Sequence, residues 1–373
     1  MNPTSWISER SRGTEISGIR KVFDLARSLK DPVNLSIGQP HFDVPEPIKT
    51  AAKEAIDRGR NAYTVTQGAA ELRDRLAADV KARFPQSERQ VLVTSGTSGA
   101  LILAMMATVN PGDEVIIPDP YFVSYPHLVT LVGGKSVYVD TYPTFHIDPD
   151  RIAAAVTDRT KVILLCSPSN PTGSIASTEA MKAVAELCAR RGILLISDEI
   201  YRAFHHDGPA RSPAEFNPDV LVVEGFGKTY GMTGWRMGYV HGPKAIVEEM
   251  TKLQQFTFVC APSVFQYGCL AALDFDVSDI VSDYRRKRDH IADALRNLYE
   301  FDAAGGAFYL FPKCPWGTGA EFVAEAIRQN LLIIPGGTFS RQDTHFRISY
   351  AASDETLQRG IEILQRIAKA PGR

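Results

Sequence analysis

The chain has 373 residues, 44% of them hydrophobic and 23% charged, and a formal net charge of −2 at pH 7. These values are those of an ordinary globular protein of one large or two ordinary domains, and they give no reason to expect a nucleic-acid or membrane-surface partner. No run reaches the ~18 apolar residues of a membrane helix, and the N-terminus lacks the apolar segment of a secretory signal. Five scattered cysteines without a CxxC pair favour reduced thiols in a cytoplasmic protein.

Short apolar runs alternate with longer segments in the first two thirds of the chain. The predicted strands are 90–96, 114–120, 136–140, 161–168, 193–199, 220–226 and 237–242. Between two of them, 178–191 is predicted as a helix, because Met181, Val184, Ala185 and Cys188 form one apolar stripe. Near-continuous apolar strands that alternate with helices are typical of an α/β fold with a mostly parallel sheet covered on both faces.

The pattern changes after about residue 275. A charged helix precedes the strand-like run 305–312, and a helix at 320–330, a strand in 331–337, another at 345–351 and a final helix follow. This mixture is typical of a smaller α+β domain. We therefore predict a large domain over 41–274, and a small domain made of 1–40 plus 275–373.

Polar groups follow four of the predicted strands. They are Gly96, Thr97 and Ser98 after the first strand, Asn170 after the fourth, Asp198 and Tyr201 after the fifth, and Lys228 after the sixth. Ligands of parallel α/β sheets bind beyond the carboxyl ends of the strands. The sequence therefore predicts one site at this edge of the sheet, with a hydroxyl-rich turn, an amide, a carboxylate, a phenol and an amine.

Lys228 lies in a glycine-rich stretch that looks like the end of a P-loop. That motif would require glycine at position 222, which is valine, and Tyr230 breaks a dinucleotide GxGxxG that starts at Gly225. A lysine at a strand end can instead lose its proton and form a Schiff base with a carbonyl. Among cofactor aldehydes, pyridoxal phosphate best matches the other groups.

Three segments are together highly specific: SPSNPTG (167–173), SDEIY (197–201), and Lys228 with GMTGWRMGY (231–239). With them, the chain from 35 to 351 resembles the class I aminotransferases of the fold-type I pyridoxal-phosphate enzymes. The resemblance implies that fold, with a seven-stranded sheet in the large domain.

The resemblance also implies a role for each polar residue around the cofactor. Lys228 would form the Schiff base and shuttle the proton, and Asp198 would face the pyridine nitrogen. The other implied contacts are Asn170 and Tyr201 at the 3-oxygen, Gly96, Thr97, Ser98 and Arg236 at the phosphate, and Phe122, with Tyr121 as the alternative, against the ring. Gly225 and Gly227 depart from the family, in which a serine often reaches the phosphate, so phosphate binding is expected to rest on Arg236 and the 96–98 turn.

Further resemblances concern the substrate and a partner chain. Arg347 resembles the arginine that binds the substrate α-carboxylate, with Gly38 and Asn170 beside it. Tyr63 resembles a tyrosine donated to the phosphate of the partner subunit, which implies a homodimer with shared active sites. His205 and His206 have no other ligand at a suitable spacing, so we expect exposed loop histidines and no metal site.

The implied activity moves the amino group of an L-amino acid to a 2-oxo acid by a ping-pong mechanism. A carbon–sulfur β-lyase is the alternative, because it would use the same fold and cofactor residues. The distal part of the substrate pocket is expected in 16–20 and 38–42. Ile16, Ile19 and Phe42 favour apolar or aromatic substrates there, whereas Arg12, Arg20 and Lys21 would suit a distal carboxylate.

Overall fold

The computed structural model describes residues 2–16, 18 and 29–369. The strands in this part of the chain are β1 (Val33–Asn34), β2 (Gln90–Ser95), β3 (Glu114–Asp119), β4 (Lys135–Asp140), β5 (Thr160–Cys166), β6 (Leu194–Asp198), β7 (Leu221–Gly225), β8 (Met237–Gly242), β9 (Tyr309–Leu310), β10 (Leu331–Leu332), β11 (Ile334–Pro335) and β12 (Phe346–Ser349).

The α-helices of the same residues are α1 (Glu9–Arg12), α2 (Glu46–Asp57), α3 (Ala70–Arg83), α4 (Gly96–Thr108), α5 (Ser124–Leu131), α6 (Pro149–Ala155), α7 (Thr178–Arg191), α8 (Lys244–Thr257), α9 (Ser263–Ala272), α10 (Ser278–Leu295), α11 (Gly319–Arg328) and α12 (Asp354–Ile367). In the described ranges, no helix combines the length and the apolar character needed to cross a bilayer.

Seven strands form the main sheet, in the order β2-β8-β7-β6-β5-β3-β4. Only β8 runs antiparallel to its neighbours, so β2 and β7 still end at the same edge as the other strands. Along β5, Val162 and Leu164 contact one apolar core and Ile163 and Leu165 contact another, because successive side chains point to opposite faces. Helices cover both faces, and the predicted α/β class with a mostly parallel seven-stranded sheet is confirmed.

Helix α7 confirms the helix predicted from its apolar stripe. Met181, Val184, Ala185 and Cys188 are all buried. Its first turn is capped by Ser177, whose side-chain oxygen accepts the backbone N–H of Ala180 at 3.1 Å. The helix packs against the sheet and so fixes the strands β5 and β6 on either side of it.

The last third of the chain forms a separate core around two short sheets. Strands β11, β12 and β9 make an antiparallel sheet, and β1 pairs in parallel with β10. Val33 and Leu35, near the start of the chain, are buried in this core with Tyr284, Phe308 and other aromatic side chains. This separate core supports the division into 41–274 and 1–40 plus 275–373, which we retain as a proposal.

The run 331–337 differs from the single strand that we predicted. It forms β10 and then β11, because Leu331 and Leu332 pair with β1, whereas Ile334 and Pro335 pair with β12. An apolar run can thus change partners within two residues. The sequence showed the apolar character of this segment but not the change of partner.

Candidate active site

A cavity of about 290 Å³ opens at the carboxyl ends of β5, β6 and β7. We call it the strand-end cavity. The predicted residues that line it are Gly38, Thr97, Ser98, Phe122, Asn170, Asp198, Tyr201, Lys228, Arg236 and Arg347. Segments far apart in the sequence thus meet where the strand-end rule predicted.

Lys228 follows β7 and projects its amine into the strand-end cavity. Its Nζ donates a hydrogen bond to the carbonyl oxygen of Gly38. Surrounding protein lowers the pKa of Lys228 to about 8, and the charges of Arg347 and Arg236 add to this, while Asp198 opposes it. The side chain is only half-buried, because the cavity reaches it. A lysine with this pKa holds a substantial neutral fraction slightly above neutral pH.

Asp198 ends β6 and is 3% exposed. Its Oδ2 accepts the hydroxyl of Tyr125 at 2.8 Å, and its Oδ1 accepts the backbone N–H of Ile200 at 3.2 Å. Burial raises the pKa of Asp198 to about 6, although both hydrogen bonds and the charge of Lys228 act in the other direction. Tyr125 was missed by the sequence reasoning, because nothing in the residues 121–125 indicates contact with the end of β6.

Arg347, on β12, is held over the strand-end cavity by four groups. Its Nη1 donates to Asn170 Oδ1 at 2.9 Å and its Nη2 to the Ser36 carbonyl at 2.7 Å. The guanidinium lies 4.6 Å from the ring centre of Tyr309 and 4.5 Å from that of Phe339. Among the described residues, its buried Nε has no acceptor. This arrangement fixes the guanidinium plane and leaves a donor for a ligand oxygen.

Asn170 and Tyr201 belong to one chain of hydrogen bonds. Asn170 Nδ2 donates to the Tyr201 hydroxyl at 3.3 Å, and that hydroxyl lies 2.9 Å from the hydroxyl of Tyr309. Asn170 and Tyr201 are each 4% exposed. The sequence reasoning did not identify Tyr309, whose place beside Tyr201 depends on how β9 packs against the main sheet.

The turn from β2 into α4 provides small groups and free backbone donors. Gly96 has φ +70°, and a Cβ at this position would lie 2.7 Å from Nη2 of Arg236. Glycine therefore lets the guanidinium approach the start of α4, where Thr97 and Ser98 lie. The first N–H groups of a helix and an arginine together suit a phosphate dianion.

One of the two glycines that depart from the family pattern, Gly225, has a steric reason. A Cβ at Gly225 would lie 2.8 Å from Ile200 Cδ1 and 2.9 Å from Thr97 Cγ2. A serine there would displace one of these neighbours. The packing at Gly225 therefore disfavours a side chain at this position.

The two candidates for the stacking aromatic are in different places. Phe122 lines the strand-end cavity, whereas Tyr121 stacks on Tyr138 with ring centres 5.1 Å apart and lies outside the lining. This placement favours Phe122 over Tyr121 as the ring that faces a ligand.

The family model described as aminotransferase class I and II matches residues 30–364. The chain belongs to this family. A probable aspartate aminotransferase of Methanocaldococcus jannaschii is 36% identical over 97% of this chain and 99% of that protein. A probable N-acetyl-LL-diaminopimelate aminotransferase of Bacillus subtilis is 36% identical over 96% of this chain and 95% of that protein. The solved structure of the Thermus thermophilus aspartate aminotransferase with maleate has a TM-score of 0.92 at 33% identity, and the match covers 97% of this chain and 99% of the other.

These similarities confirm the predicted family, its fold and its enzyme class, so the chain is an aminotransferase. The proteins named above are all aminotransferases, and the β-lyase alternative is therefore not favoured.

Some predicted residues lie outside the strand-end cavity of this aminotransferase. Tyr63 is 81% exposed in the segment between α2 and α3 and does not line it. In the distal region, Ile16 is 71% exposed, and the Nη2 of Arg12 donates to the Thr4 carbonyl at 2.6 Å. Phe42 packs against Tyr284. The predicted residues Ile19, Arg20 and Lys21 fall outside the described residues.

The prediction of two exposed loop histidines was wrong. His206 is 1% exposed, and its Nε2 lies 3.0 Å from the Ala307 carbonyl and 3.2 Å from the Tyr350 hydroxyl. His205 is half-buried. The loop that carries both histidines packs against the segment before β9. There the His206 backbone N–H donates a hydrogen bond to the Gly305 carbonyl at 2.8 Å. Burial lowers the pKa of His206 to about 4, so it stays neutral.

Proposed function

We propose that the chain is a pyridoxal-phosphate-dependent aminotransferase that moves the amino group of an L-amino acid to a 2-oxo acid. The observation that carries the proposal is the position of Lys228, a lysine of lowered pKa in a cavity that also holds Asp198 and Arg347. Kinetically, we expect a ping-pong pattern, in which the first oxo acid leaves before the second binds.

The side chains around the strand-end cavity fit the family cofactor. The 96–98 turn and Arg236 would hold the phosphate, and Phe122 would lie against the ring. The Asp198 carboxylate would accept a hydrogen bond from the protonated ring nitrogen. Asn170 and Tyr201 would donate hydrogen bonds to the 3-oxygen. When bound, pyridoxal phosphate supplies an aldehyde that condenses with amines and a protonated ring that withdraws electrons from the substrate α-carbon. Buried Asp198, with few protein partners, provides the negative charge that this ring requires.

Lys228 would act as the general base. Because its pKa is lowered to about 8, the neutral amine is accessible at little cost near neutral pH. It would remove the α-proton and later return a proton on the same side of the substrate. The positive charges of Arg347 and Arg236 favour the neutral form of the amine and so support this role.

Arg347 would bind the α-carboxylate. Asn170 and Ser36 hold two of its nitrogens in place, which reduces the entropy lost when a carboxylate binds. In the described residues, the cations that line the strand-end cavity are Lys228, Arg236 and Arg347, and each has a proposed role. A distal carboxylate would therefore need a cation from elsewhere, and Arg20 and Lys21 remain the predicted candidates.

The relatives differ in the amino donors for which they are named. Two of those described above are named as aspartate aminotransferases, one of them as a probable one, and the third is named for N-acetyl-LL-diaminopimelate. We therefore expect aspartate among the donors, together with tolerance of other side chains. A panel of donors with 2-oxoglutarate and pyruvate as acceptors would define the range.

We also propose a cytoplasmic homodimer. Large apolar side chains are exposed in two adjacent segments: Tyr63 and Val65 before α3, and Phe256, Phe258 and Val259 at the end of α8. Gln254 links the segments, since its Nε2 donates to the Thr66 carbonyl at 2.7 Å. A second copy would cover this apolar surface and bring its Tyr63 to the phosphate. The five unpaired thiols fit a reducing compartment.

Replacement of Lys228 tests the proposal. We expect Lys228→Ala to lower the rate of transamination by about 10⁴-fold or more, because both the cofactor attachment and the base are lost. Borohydride treatment with pyridoxal phosphate should label Lys228 covalently in the wild type. Lys182→Ala, on the exposed face of α7, is the matched control and should change neither result. Unchanged transamination in Lys228→Ala, or no label on Lys228, would contradict the proposal.

A further inference from the structure

Tyr125 lies beside Asp198 in the wall of the strand-end cavity. It is 2% exposed, at the start of α5, and its ring packs edge-on against Phe122 with centres 5.6 Å apart. Its hydroxyl donates to Asp198 Oδ2 at 2.8 Å. The Ile200 N–H occupies Oδ1, so the two oxygens of the carboxylate have one protein donor each.

The chemistry of a phenol determines the direction of this hydrogen bond. Burial, with the charge of Asp198 next, raises the pKa of Tyr125 well above its ordinary value. The hydroxyl therefore keeps its proton throughout the working pH range and remains a neutral donor. A donor without charge stabilises the carboxylate but does not neutralise it. The negative charge of Asp198 is left for a cation on the cavity side.

We propose that Tyr125 is a positioning residue that fixes Asp198 in the orientation and ionised state that bind the cofactor ring. This inference rests on the proposed function. The Tyr125 hydroxyl acts through Asp198, because it is hydrogen-bonded to that carboxylate.

The ionisation of Asp198 should make cofactor binding depend on pH. The titratable groups around Asp198 are Tyr125 from α5, Cys166 from β5 and Lys228 from the segment after β7. Burial raises the pKa of Asp198 to about 6, and the Tyr125 hydrogen bond holds it below the value that burial alone would give. Cofactor binding should therefore weaken below about pH 6, as Asp198 takes up a proton.

The experiment measures the dissociation constant of pyridoxal phosphate by absorbance as a function of pH. Tyr125→Phe removes one hydroxyl and keeps the ring. We expect the acid limb, the fall of affinity as pH decreases, to move up by about one pH unit, since a buried hydrogen bond to a charged group is lost. Binding at pH 5 should then weaken about tenfold. Tyr138→Phe, which removes a half-buried hydroxyl not bonded to Asp198, should leave both values unchanged.

A double-mutant cycle separates positioning from a structural effect. In an Asp198→Asn background, Tyr125→Phe should change pyridoxal-phosphate affinity by less than about twofold, because the carboxylate through which Tyr125 acts is absent. An acid limb that stays in place in Tyr125→Phe, or an equal tenfold loss in the Asp198→Asn background, would overturn the inference. If the wild type fails to bind pyridoxal phosphate at Lys228, the proposed function itself has failed.

Discussion

Asp198 and Glu199 are neighbours at the end of β6, are equally buried, and belong to two different environments. Asp198 faces the strand-end cavity. Glu199 points to the reverse face of the sheet, where a charged cluster contains Arg83, Arg89, Glu199, Glu224 and His241. We call these five residues the reverse-face cluster. The two groups of buried charges differ in how far the protein itself satisfies them.

Four members of the reverse-face cluster pair with one another, whereas Glu199 accepts hydrogen bonds only from the hydroxyls of Ser197 and Ser212 among the described residues. Glu224 Oε1 accepts a hydrogen bond from Arg83 Nη2 at 2.5 Å and lies 3.2 Å from His241 Nε2. On the other side of the imidazole, Arg89 Nε donates to His241 Nδ1 at 2.8 Å. Burial alone would raise the pKa of Glu224, but the hydrogen bonds and the charge of Arg83 hold it well below its usual range. Burial lowers the pKa of His241 to about 4, so it bridges Arg89 and Glu224 as a neutral ring.

The strand-end cavity leaves its charges with few protein partners. Lys228 has one backbone acceptor, Asp198 has two neutral donors, and Arg347 keeps a donor unused among the described residues. Buried charges normally require partners. Burial alone therefore does not separate the two regions, and single unpaired atoms occur in both, since Glu199 Oε2 and Arg83 Nη1 also lack partners. The difference lies in direct ion pairing: Arg83 pairs with Glu224 in the reverse-face cluster. Among the described residues, Lys228, Asp198 and Arg347 form no ion pair with a neighbouring side chain. Four substitutions test this difference between the two regions.

The largest effect is expected for Arg347→Ala. Loss of the guanidinium removes the proposed carboxylate donor and leaves Asn170 without its 2.9 Å hydrogen bond. We expect kcat/KM for amino donors to fall by about 10³-fold, or about 4 kcal/mol, mainly through KM. Arg341→Ala, which removes an exposed guanidinium over the Tyr138 ring, is the control. A fall below tenfold would argue against a role for Arg347 in substrate binding.

On the reverse face, Glu224→Gln should affect stability rather than chemistry. The change leaves the charge of Arg83 buried without its partner, and we expect a loss of about 3 kcal/mol in the free energy of unfolding. Chemical denaturation would measure it, with kcat of the folded enzyme nearly unchanged. Glu54→Gln breaks an exposed pair with Arg58 and should cost less than about 1 kcal/mol. Equal losses in the two variants would show that the cluster contributes no more than a surface pair.

A smaller effect of opposite sign is expected for Lys228→Met in the cofactor-free protein. The folded pKa of about 8 is below the unfolded value near 10.5, so wild-type folding is penalised below pH 8 and the penalty disappears as pH rises to 10.5. Since the cavity lets water reach the amine, we expect a gain of only about 1–2 kcal/mol at pH 7. Thermal unfolding from pH 7 to 10.5 tests this, with Lys182→Met as the control. A destabilised variant at pH 7 would contradict the prediction.

The smallest effect concerns His41, in the segment that carries Gly38 into the strand-end cavity. Its Nε2 lies 2.8 Å from Nζ of Lys287, and Asp283 and Asp354 also face this pair. Burial lowers the pKa of His41, and Lys287 lowers it further. Lys287→Met should therefore raise the pKa of His41 by less than about one unit. An NMR titration of the imidazole would measure this, and a lowered or unchanged value would exclude the contact with Lys287 as a cause.

Protonation of His41 also has a defined effect on stability. Because its folded pKa is below the unfolded value of 6.5, this group contributes full stability above pH 6.5 and loses it as pH falls through the folded pKa. The loss should be smaller in Lys287→Met. This loss of stability concerns the contact between His41 and α10, because the His41 ring is hydrogen-bonded there to Lys287 and to the Tyr284 hydroxyl.

The sequence predicted the strand-end residues because chain order and strand polarity are enough to locate them. Asp198 and Lys228 each follow an apolar strand, and parallel strands end at one edge. Tyr125, Tyr309 and the burial of His206 could not be predicted in this way. Each depends on which helix or short strand packs over that edge, and the local residues carry no periodic signal for such contacts.

Residue order alone was enough to predict the α/β class, the family and the residues at the strand ends, because periodicity and specific segments are local properties of the chain. The pairing of buried groups depends instead on how the chain packs. Tyr125 reaches Asp198, Arg347 reaches Asn170, and Glu224 reaches Arg83 across many residues of intervening chain. The physical reason is that the ionisation of a buried group depends on the partners and the water that the packed fold brings to it.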